Sequence, residues 1–302
     1  MSARLPPCRN SPRRQFLACS GLSNSEALGP LFVEGLGLPP IGLKRSWVKE
    51  SADKRVPMEN TELRPGRTRM TTALGIICKA PDPGRTKTRL AASIGARAAA
   101  DLSACFLRDI AATINSIPES VCWRGYAVYA PANGAPILRK LLPASLGFLP
   151  QAGHDLGEVL LGAAQGLLAA RHDSVLLVNG DSPTLPPRLL LHAIDALRAS
   201  SDRAVLGPAC DGGYYLIGLK HAHVRLFSEI TWGTASVFDE TCARAKEIGL
   251  PVTVLPEWYD IDDEESLRWL REEFAGTSRR FVDGARAPFT RAYLAKMPEI
   301  CR

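Results

Sequence analysis

Cys78-Lys79-Ala80-Pro81-Asp82-Pro83-Gly84-Arg85-Thr86-Lys87-Thr88-Arg89-Leu90 directly follows the apolar run Ala73-Leu74-Gly75-Ile76-Ile77 and leads into an alanine-rich, helix-like stretch. A strand, a tight Pro/Gly loop and a helix opening with Lys, Thr and Arg is how α/β proteins hold phosphate. Backbone N–H groups at the helix start face the anion, and cationic side chains complete the shell. The spacing is neither Gly-x-x-x-x-Gly-Lys-Ser/Thr nor Gly-x-Gly-x-x-Gly. An ordinary basic turn is the simpler reading, but the density of cations around Pro81-Asp82-Pro83-Gly84 favours phosphate. The expected phosphate-binding set is Lys79, Pro81, Gly84, Lys87, Thr88 and Arg89, with Lys87 and Arg89 exposed at the start of the helix.

Downstream of this loop, strands alternate with helices. Ile94–Ile117 reads as one long amphipathic helix, Gly125–Ala130 as a strand and Ala135–Leu142 as a short helix. Asp155 is a plausible N-cap for a helix over Leu156–Ala170. Ser174–Asn179 is a continuous Val/Leu run of the fully buried type, and Pro186–Ser200 is a helix with prolines in its first turn. A strand over Arg203–Leu206 and a loop and strand around Asp211-Gly212-Gly213 follow. Thr234–Ile248 reads as a helix, Val252–Leu255 as a strand and Asp263–Phe274 as the last helix. This alternation predicts an α/β fold, with a mostly parallel sheet covered by helices on both faces.

The 302 residues carry a formal charge of +6, which would suggest a nucleic-acid partner. The excess is local. Residues 1–69 hold 12 Lys/Arg against 6 Asp/Glu, leaving 25 of each sign from Met70 onward. A neutral body offers no broad footprint for DNA or RNA. The first 69 residues are rich in Pro, Gly, Ser and Arg and show no sustained period. They read as a disordered arm or as the product of a start placed too far upstream. Arg13-Arg14-Gln15-Phe16-Leu17-Ala18-Cys19 resembles a twin-arginine export signal, but Glu26 and Glu34 interrupt the apolar region that should follow. The organised domain is expected over 70–275, and residues 276–302 read as a loose tail.

No run approaches the roughly 20 apolar residues of a membrane helix. The 8 cysteines are scattered without Cys-x-x-Cys spacing, which suggests reduced thiols in a cytoplasmic setting and argues against a zinc site. His221 and His223 are two apart, wrong for one helix face, and no carboxylate pair lies near them in sequence.

Three carboxylate segments are candidates for chemistry. Asp181, in Gly180-Asp181-Ser182-Pro183, ends a buried strand, where α/β sheets place their ligands. It could also simply cap the next helix. Asp211-Gly212-Gly213-Tyr214-Tyr215 offers a hydroxyl-binding carboxylate, two glycines permitting close approach and a ring for stacking; an Asp-Gly hairpin turn is the plain alternative. In Asp260-Ile261-Asp262-Asp263, Asp263 suits a helix cap, while Asp260 and Asp262 alternate as a strand end would, so that one can reach the rim. Asp181 with Asp262 would then supply the hard oxygen ligands of Mg²⁺ or Mn²⁺.

Taken in order, these motifs resemble the DUF2064 family of GT-A-like nucleotide-diphospho-sugar transferases. Members are often described as glycosyltransferases and are in part linked to arsenosugar biosynthesis. The matching pieces are Lys79-Ala-Pro81 with Gly84-x-x-Lys87-Thr88-Arg89-Leu90, then Asp155-Leu156-Gly157-Glu158, Gly180-Asp181-Ser182-Pro183-Thr184-Leu185, Gly207-Pro208 through Leu219, Trp232-Gly233-Thr234 and Asp260-Ile261-Asp262. His154 and Val159 depart from the family's pattern.

The resemblance implies a Rossmann-like domain that holds a nucleotide diphosphate on the first loop and a divalent cation on Asp181. Asp181, Lys87 and Asp211 are then the candidate catalytic residues. Asp155, Asp211, Gly212, Gly213, Tyr214 and Trp232 are the candidates for binding sugar or a small-molecule acceptor. Two chemistries fit this arrangement. One is glycosyl transfer from a nucleotide sugar. The other is nucleotidyl transfer from an NTP to a phosphorylated acceptor, with release of pyrophosphate. A non-enzymatic nucleotide-binding protein is a third reading.

Overall fold

The computed structural model describes residues 70–297; the N-terminal arm, its twin-arginine-like stretch and the last five residues lie outside the described residues. The segment that opened the sequence reading forms strand β1 (Thr72–Lys79), which is apolar almost throughout and buried on both faces. A strand of this kind belongs in the middle of a covered sheet. β1 pairs in parallel with β2 (Trp123–Ala130) on one side and β4 (Ser174–Asn179) on the other.

β3 (Gly147–Pro150) extends the sheet beyond β2. On the far side follow β6 (Tyr214–Leu219), β5 (Ala204–Pro208) and β7 (Val252–Val254), giving the order β3-β2-β1-β4-β6-β5-β7. Only β6 runs antiparallel to its neighbours. β3 was not foreseen: four residues around Gly147 are too short to show a period of two.

The helices are α1 (Thr88–Ile94), α2 (Ala96–Asn115), α3 (Ala135–Leu141), α4 (Leu156–Ala169), α5 (Pro187–Leu197), α6 (Val237–Glu247), α7 (Glu264–Ala275) and α8 (Pro288–Leu294). They cover both faces, as expected. Alternate side chains of the central strands sort between two cores. Leu74, Ile76, Leu176 and Val178 pack with Phe106 and Ile110 of α2, Leu190 of α5 and Leu267 of α7. Ala73, Val175, Leu177 and Leu206 pack with Leu160 and Ala164 of α4 and Ala245 of α6. The fold is the Rossmann-like α/β architecture expected of a GT-A-type transferase.

One expectation holds and one needs correcting. The long helix read over Ile94–Ile117 is α2 (Ala96–Asn115), set off from α1 by Gly95, whose φ of 87° lies in the region that only glycine occupies easily. The tail after residue 275 is not loose over its described part. α8 docks on α2, where the buried carboxylate of Asp109 accepts from the backbone N–H of Phe289 at 3.0 Å, from that of Thr290 at 2.8 Å and from the Thr290 hydroxyl at 2.6 Å. An isolated Asp in the middle of a helix carries no sequence mark of a partner 181 residues away.

Candidate active site

β1 and β4 run in parallel, so their carboxyl ends meet at one rim. Lys79 ends β1, and Asp181 stands two residues beyond β4. The loop after β1 is held by its own atoms: the Thr86 hydroxyl accepts from the Asp82 N–H at 3.0 Å, and the Arg85 and Thr86 N–H groups both donate to the Asp82 carbonyl. Lys87 then adopts left-handed φ/ψ of 53° and 50°, and no side chain caps α1. That backbone turn aims Lys87 inward rather than out.

Its side chain is only 6% exposed, so the expectation that Lys87 lies on the surface is wrong. Its Nζ sits 2.9 Å from Asp181 Oδ1 and 2.5 Å from Asp262 Oδ1. Arg89 meets the expectation of exposure. Its side chain is 67% exposed, and its guanidinium reaches the other oxygen of Asp262 at 2.5 Å. Asp262 is brought here by its neighbour: the Ile261 N–H donates to the Asp181 carbonyl at 3.0 Å, and the Ile261 side chain is fully buried. With Ile261 anchored inward, Asp262 lines the cleft, while Asp260 is not among the lining residues, so that one of the two reaches the rim as expected.

The electrostatics follow from this crowding. Burial raises the Asp181 carboxyl against the opposing pull of Lys87. Burial also opposes the charge on Lys87, but Asp181 and Asp262 outweigh it and hold the ammonium above its ordinary range. Asp262 is desolvated too, yet Lys87 and Arg89 keep it below the usual carboxylate range. Asp260 behaves differently: burial, then Asp262 and Asp211, push it up to about 7 against a weaker opposing pull from Lys87. The Cys78 thiol, buried beside Asp181, is pushed up to about 12 and stays protonated.

These residues open onto a cleft of about 530 Å³, a volume suited to a small organic ligand. Its lining carries Lys79, Arg85, Lys87, Thr88 and Arg89 together with Asp181 and Asp262. Asp155 also lines it, and its carboxylate caps α4 by accepting from the Glu158 N–H at 2.8 Å. Gln151 was missed. It lines the cleft while its amide donates to the carbonyls of Cys78 and Val128, and a lone Gln between a strand and a loop has no motif to betray it. Ser103 of α2, also in the lining, was missed for the same reason.

The Asp211 to Trp232 set lies apart from this cleft lining. Asp211 is exposed and accepts from the Gly213 N–H at 2.9 Å, the turn that the plain reading predicts. It is near enough to Asp260 to raise its pKa. Gly212, with φ of 89°, lies so close to Ala235 that a Cβ would fall 2.2 Å from the Ala235 carbonyl oxygen. Its conformation therefore serves packing between loops. The Tyr214 ring meets Trp232 edge-on at 6.4 Å, and Trp232 in turn lies against Gly157 of α4. Pro81 and Gly84 belong to the loop after β1 but are not among the residues lining the cleft.

The donor set suits a hard divalent cation. Two carboxylates, Asp181 and Asp262, already converge on one positive group, the Lys87 ammonium, and oxygen-only sites select Mg²⁺ or Mn²⁺.

Comparison with known proteins agrees with the family resemblance and the fold. Residues 113–234 match the family model described as "Uncharacterized protein conserved in bacteria (DUF2064)", as the ordered motifs implied. A protein of Desulfovibrio desulfuricans G20, assigned provisionally as a nucleotide-diphospho-sugar transferase, is 29% identical in sequence. The likeness covers 76% of this chain and 96% of that one, with a TM-score of 0.65. More distant is a nucleotidyl transferase of Methanothermobacter, 17% identical, covering 70% of this chain and 100% of that one at a TM-score of 0.45. So is the 4-diphosphocytidyl-2C-methyl-D-erythritol synthase of Anaerococcus prevotii, 13% identical, covering 67% and 96% at 0.44. The comparison with curated proteins finds no match.

Proposed function

We propose that the protein is a nucleotide-utilising transferase that passes a sugar from a nucleotide-diphospho-sugar donor to a small-molecule acceptor, with Mg²⁺ or Mn²⁺ held by Asp181 and Asp262. The observation that carries this reading is the convergence of two carboxylates on the Lys87 ammonium, in a cleft whose lining also bears Lys79, Arg85 and Arg89.

Bound there, the cation would stabilise the negative charge that develops on the departing diphosphate. Lys79 and Arg89, both exposed on the cleft wall, supply charge-assisted hydrogen bonds to phosphate oxygens. Lys87 neutralises the carboxylate pair before ligand arrives, so that the empty cleft does not repel an incoming polyanion. Asp155 lines the cleft and is the candidate for a sugar hydroxyl. Asp211, near Asp260, stands outside the cleft lining and is the second candidate for a hydroxyl of the acceptor. Cys78, Cys105, Cys122, Cys210 and Cys242 are free thiols, in keeping with a cytoplasmic setting, and no helix among the described residues is long and apolar enough to cross a membrane.

Titrating nucleotides and sugar nucleotides into wild type and Asp181→Asn, each with and without Mn²⁺, tests the reading. Asn nearly preserves the shape of Asp. The expected result is that Mn²⁺ strengthens nucleotide binding in wild type alone, while both proteins melt alike. A sugar nucleotide and its free nucleoside diphosphate should both bind. An NTP that binds productively only with a phosphorylated co-substrate would assign nucleotidyl transfer instead. Full Mn²⁺ enhancement in the variant would remove Asp181 from the cation site, and nucleotide binding without turnover of any donor would leave a sensor rather than an enzyme.

A further inference from the structure

A second group of potential ligands lies at the opposite edge of the sheet. Ala204 of β5 pairs with Leu219 of β6 in antiparallel register. Continuing that ladder by two residues on each strand sets Asp202 against His221. The backbone then turns, with the His223 N–H donating to the His221 carbonyl at 3.1 Å, and this brings a second imidazole back to the same point. Asp202 Oδ2 lies 3.1 Å from His221 Nδ1 and 2.8 Å from His223 Nε2. The other oxygen, Oδ1, accepts from the Arg203 N–H at 2.9 Å, which fixes the carboxylate plane. One ligand atom from each of the three residues lies within 4.8 Å of the other two.

In the sequence, His221 and His223 have no carboxylate pair near them. Their carboxylate comes from the strand pairing, 19 and 21 residues upstream. The loops that carry the cluster are pinned independently of it: Lys220 Nζ donates to the carbonyls of Ala199, Ser200 and Ser201, the nearest at 2.7 Å. The triad is thus built on a framework that does not need the histidines.

We propose that Asp202, His221 and His223 form a binding site for a borderline divalent cation of the Zn²⁺ class. Two imidazole nitrogens and one carboxylate oxygen are the donors that suit Zn²⁺, Co²⁺ or Ni²⁺, whereas the oxygen-only pair at Asp181 suits Mg²⁺ or Mn²⁺. Each imidazole nitrogen facing Asp202 can carry a proton, and the cation takes the place of those protons. His221 is 68% exposed, so at least one coordination position faces water. A cleft beside the cluster, bounded by Val224, Ile248 and Pro251, leaves room for a further ligand.

The site lies across the sheet from the candidate active site. Leu219 pairs with Val175 at the start of β4, while Asp181 follows the end of that strand, about 20 Å away at roughly 3.3 Å per residue. Its cation therefore cannot touch the diphosphate. Its role is to clamp the segment entering β5 to the segment leaving β6.

The test uses the full chain stripped with chelator. Zn²⁺ is titrated calorimetrically into wild type, the double variant His221→Ala/His223→Ala, Asp181→Asn and, as a surface-histidine control, His192→Ala. One equivalent should bind to wild type, Asp181→Asn and His192→Ala alike, and at least tenfold more weakly to the double variant. Millimolar Mg²⁺ should not compete. Zinc at about a hundred times its dissociation constant should raise the wild-type melting temperature by roughly 5–10 °C and leave the double variant unmoved. The Co²⁺ form should show d–d bands without thiolate charge transfer. Equal affinity in the double variant, no zinc binding by wild type, or a thiolate band would each overturn the proposal.

Discussion

Replacing Lys87 with Ala removes a buried cation from between two carboxylates, and the cost can be worked out from the geometry. Taking one partner from a buried ion pair costs roughly 3–5 kcal/mol, because the charge left behind stays desolvated. Protonation sets a ceiling. Neutralising one carboxyl of ordinary pKa about 3.9 costs about 5 kcal/mol at pH 7.5 and about 1.5 kcal/mol at pH 5, at about 1.36 kcal/mol per unit. Arg89 still holds Asp262, and Asp181 is 37% exposed to the cleft, so solvent screening places the loss at the lower end, about 3 kcal/mol at pH 7.5. For a body of this size that is a fall in melting temperature of about 6–12 °C. Thermal unfolding followed by circular dichroism in EDTA, at pH 7.5 and pH 5, measures it. The loss should shrink to about 1 kcal/mol at pH 5. Mn²⁺ should restore more stability to the variant than to wild type, since the ammonium no longer competes for the carboxylates. A loss below 1 kcal/mol at pH 7.5, or equal losses at both pH values, would refute the reasoning.

Other perturbations follow from the same structure. Asp260, pushed up to about 7, binds a proton in the folded state that the unfolded chain releases near pH 4. Wild-type stability should therefore fall as pH rises from about 4 to about 7, and Asp260→Asn should flatten that slope and gain about 2–4 kcal/mol at pH 8; parallel pH profiles for the two proteins would count against it. Asp109→Ala should cost about 2–4 kcal/mol, because it leaves the Phe289 and Thr290 donors without their acceptor, and proteolysis within residues 276–297 should accelerate; an unchanged cleavage rate would show that α8 docks without Asp109. Gly157→Ala sets a Cβ 2.6 Å from Trp232 Nε1 and should destabilise by about 1–3 kcal/mol while quenching or shifting Trp fluorescence, and a silent substitution would show that the ring is free to move.

Much of the architecture was legible in the chain because it rests on local pattern. The unbroken Val/Leu run of Ser174–Asn179 could only be a covered strand, Asp155 and Asp263 announce their helices as caps, and the Pro/Gly loop after Ala73–Ile77 places the cations at a strand end. Those features depend on neighbours within a few residues, and sequence shows neighbours. The alternation of strand and helix also implied a parallel sheet with its ligand rim at the carboxyl ends, and so put Lys79 and Asp181 on one edge.

What the chain could not show are contacts between residues far apart along it. The left-handed turn at Lys87 converts a basic residue from a surface charge into the buried partner of Asp181 and Asp262, 94 and 175 residues away. Anchoring of Ile261 to the Asp181 carbonyl brings Asp262 to the cleft, where a two-residue alternation left the choice between it and Asp260 open. The β5–β6 register supplies Asp202 to a pair of histidines that looked unsupported, and Asp109 reaches forward 181 residues to fasten the chain's last described helix. Each of these depends on the direction in which a side chain leaves a folded backbone, which is fixed by strand register and single dihedral choices. The chain determined which residue types reach the rim; the tertiary structure decided which of them face one another, and so where the charge is neutralised, where it is left unpaired and where a cation can be held.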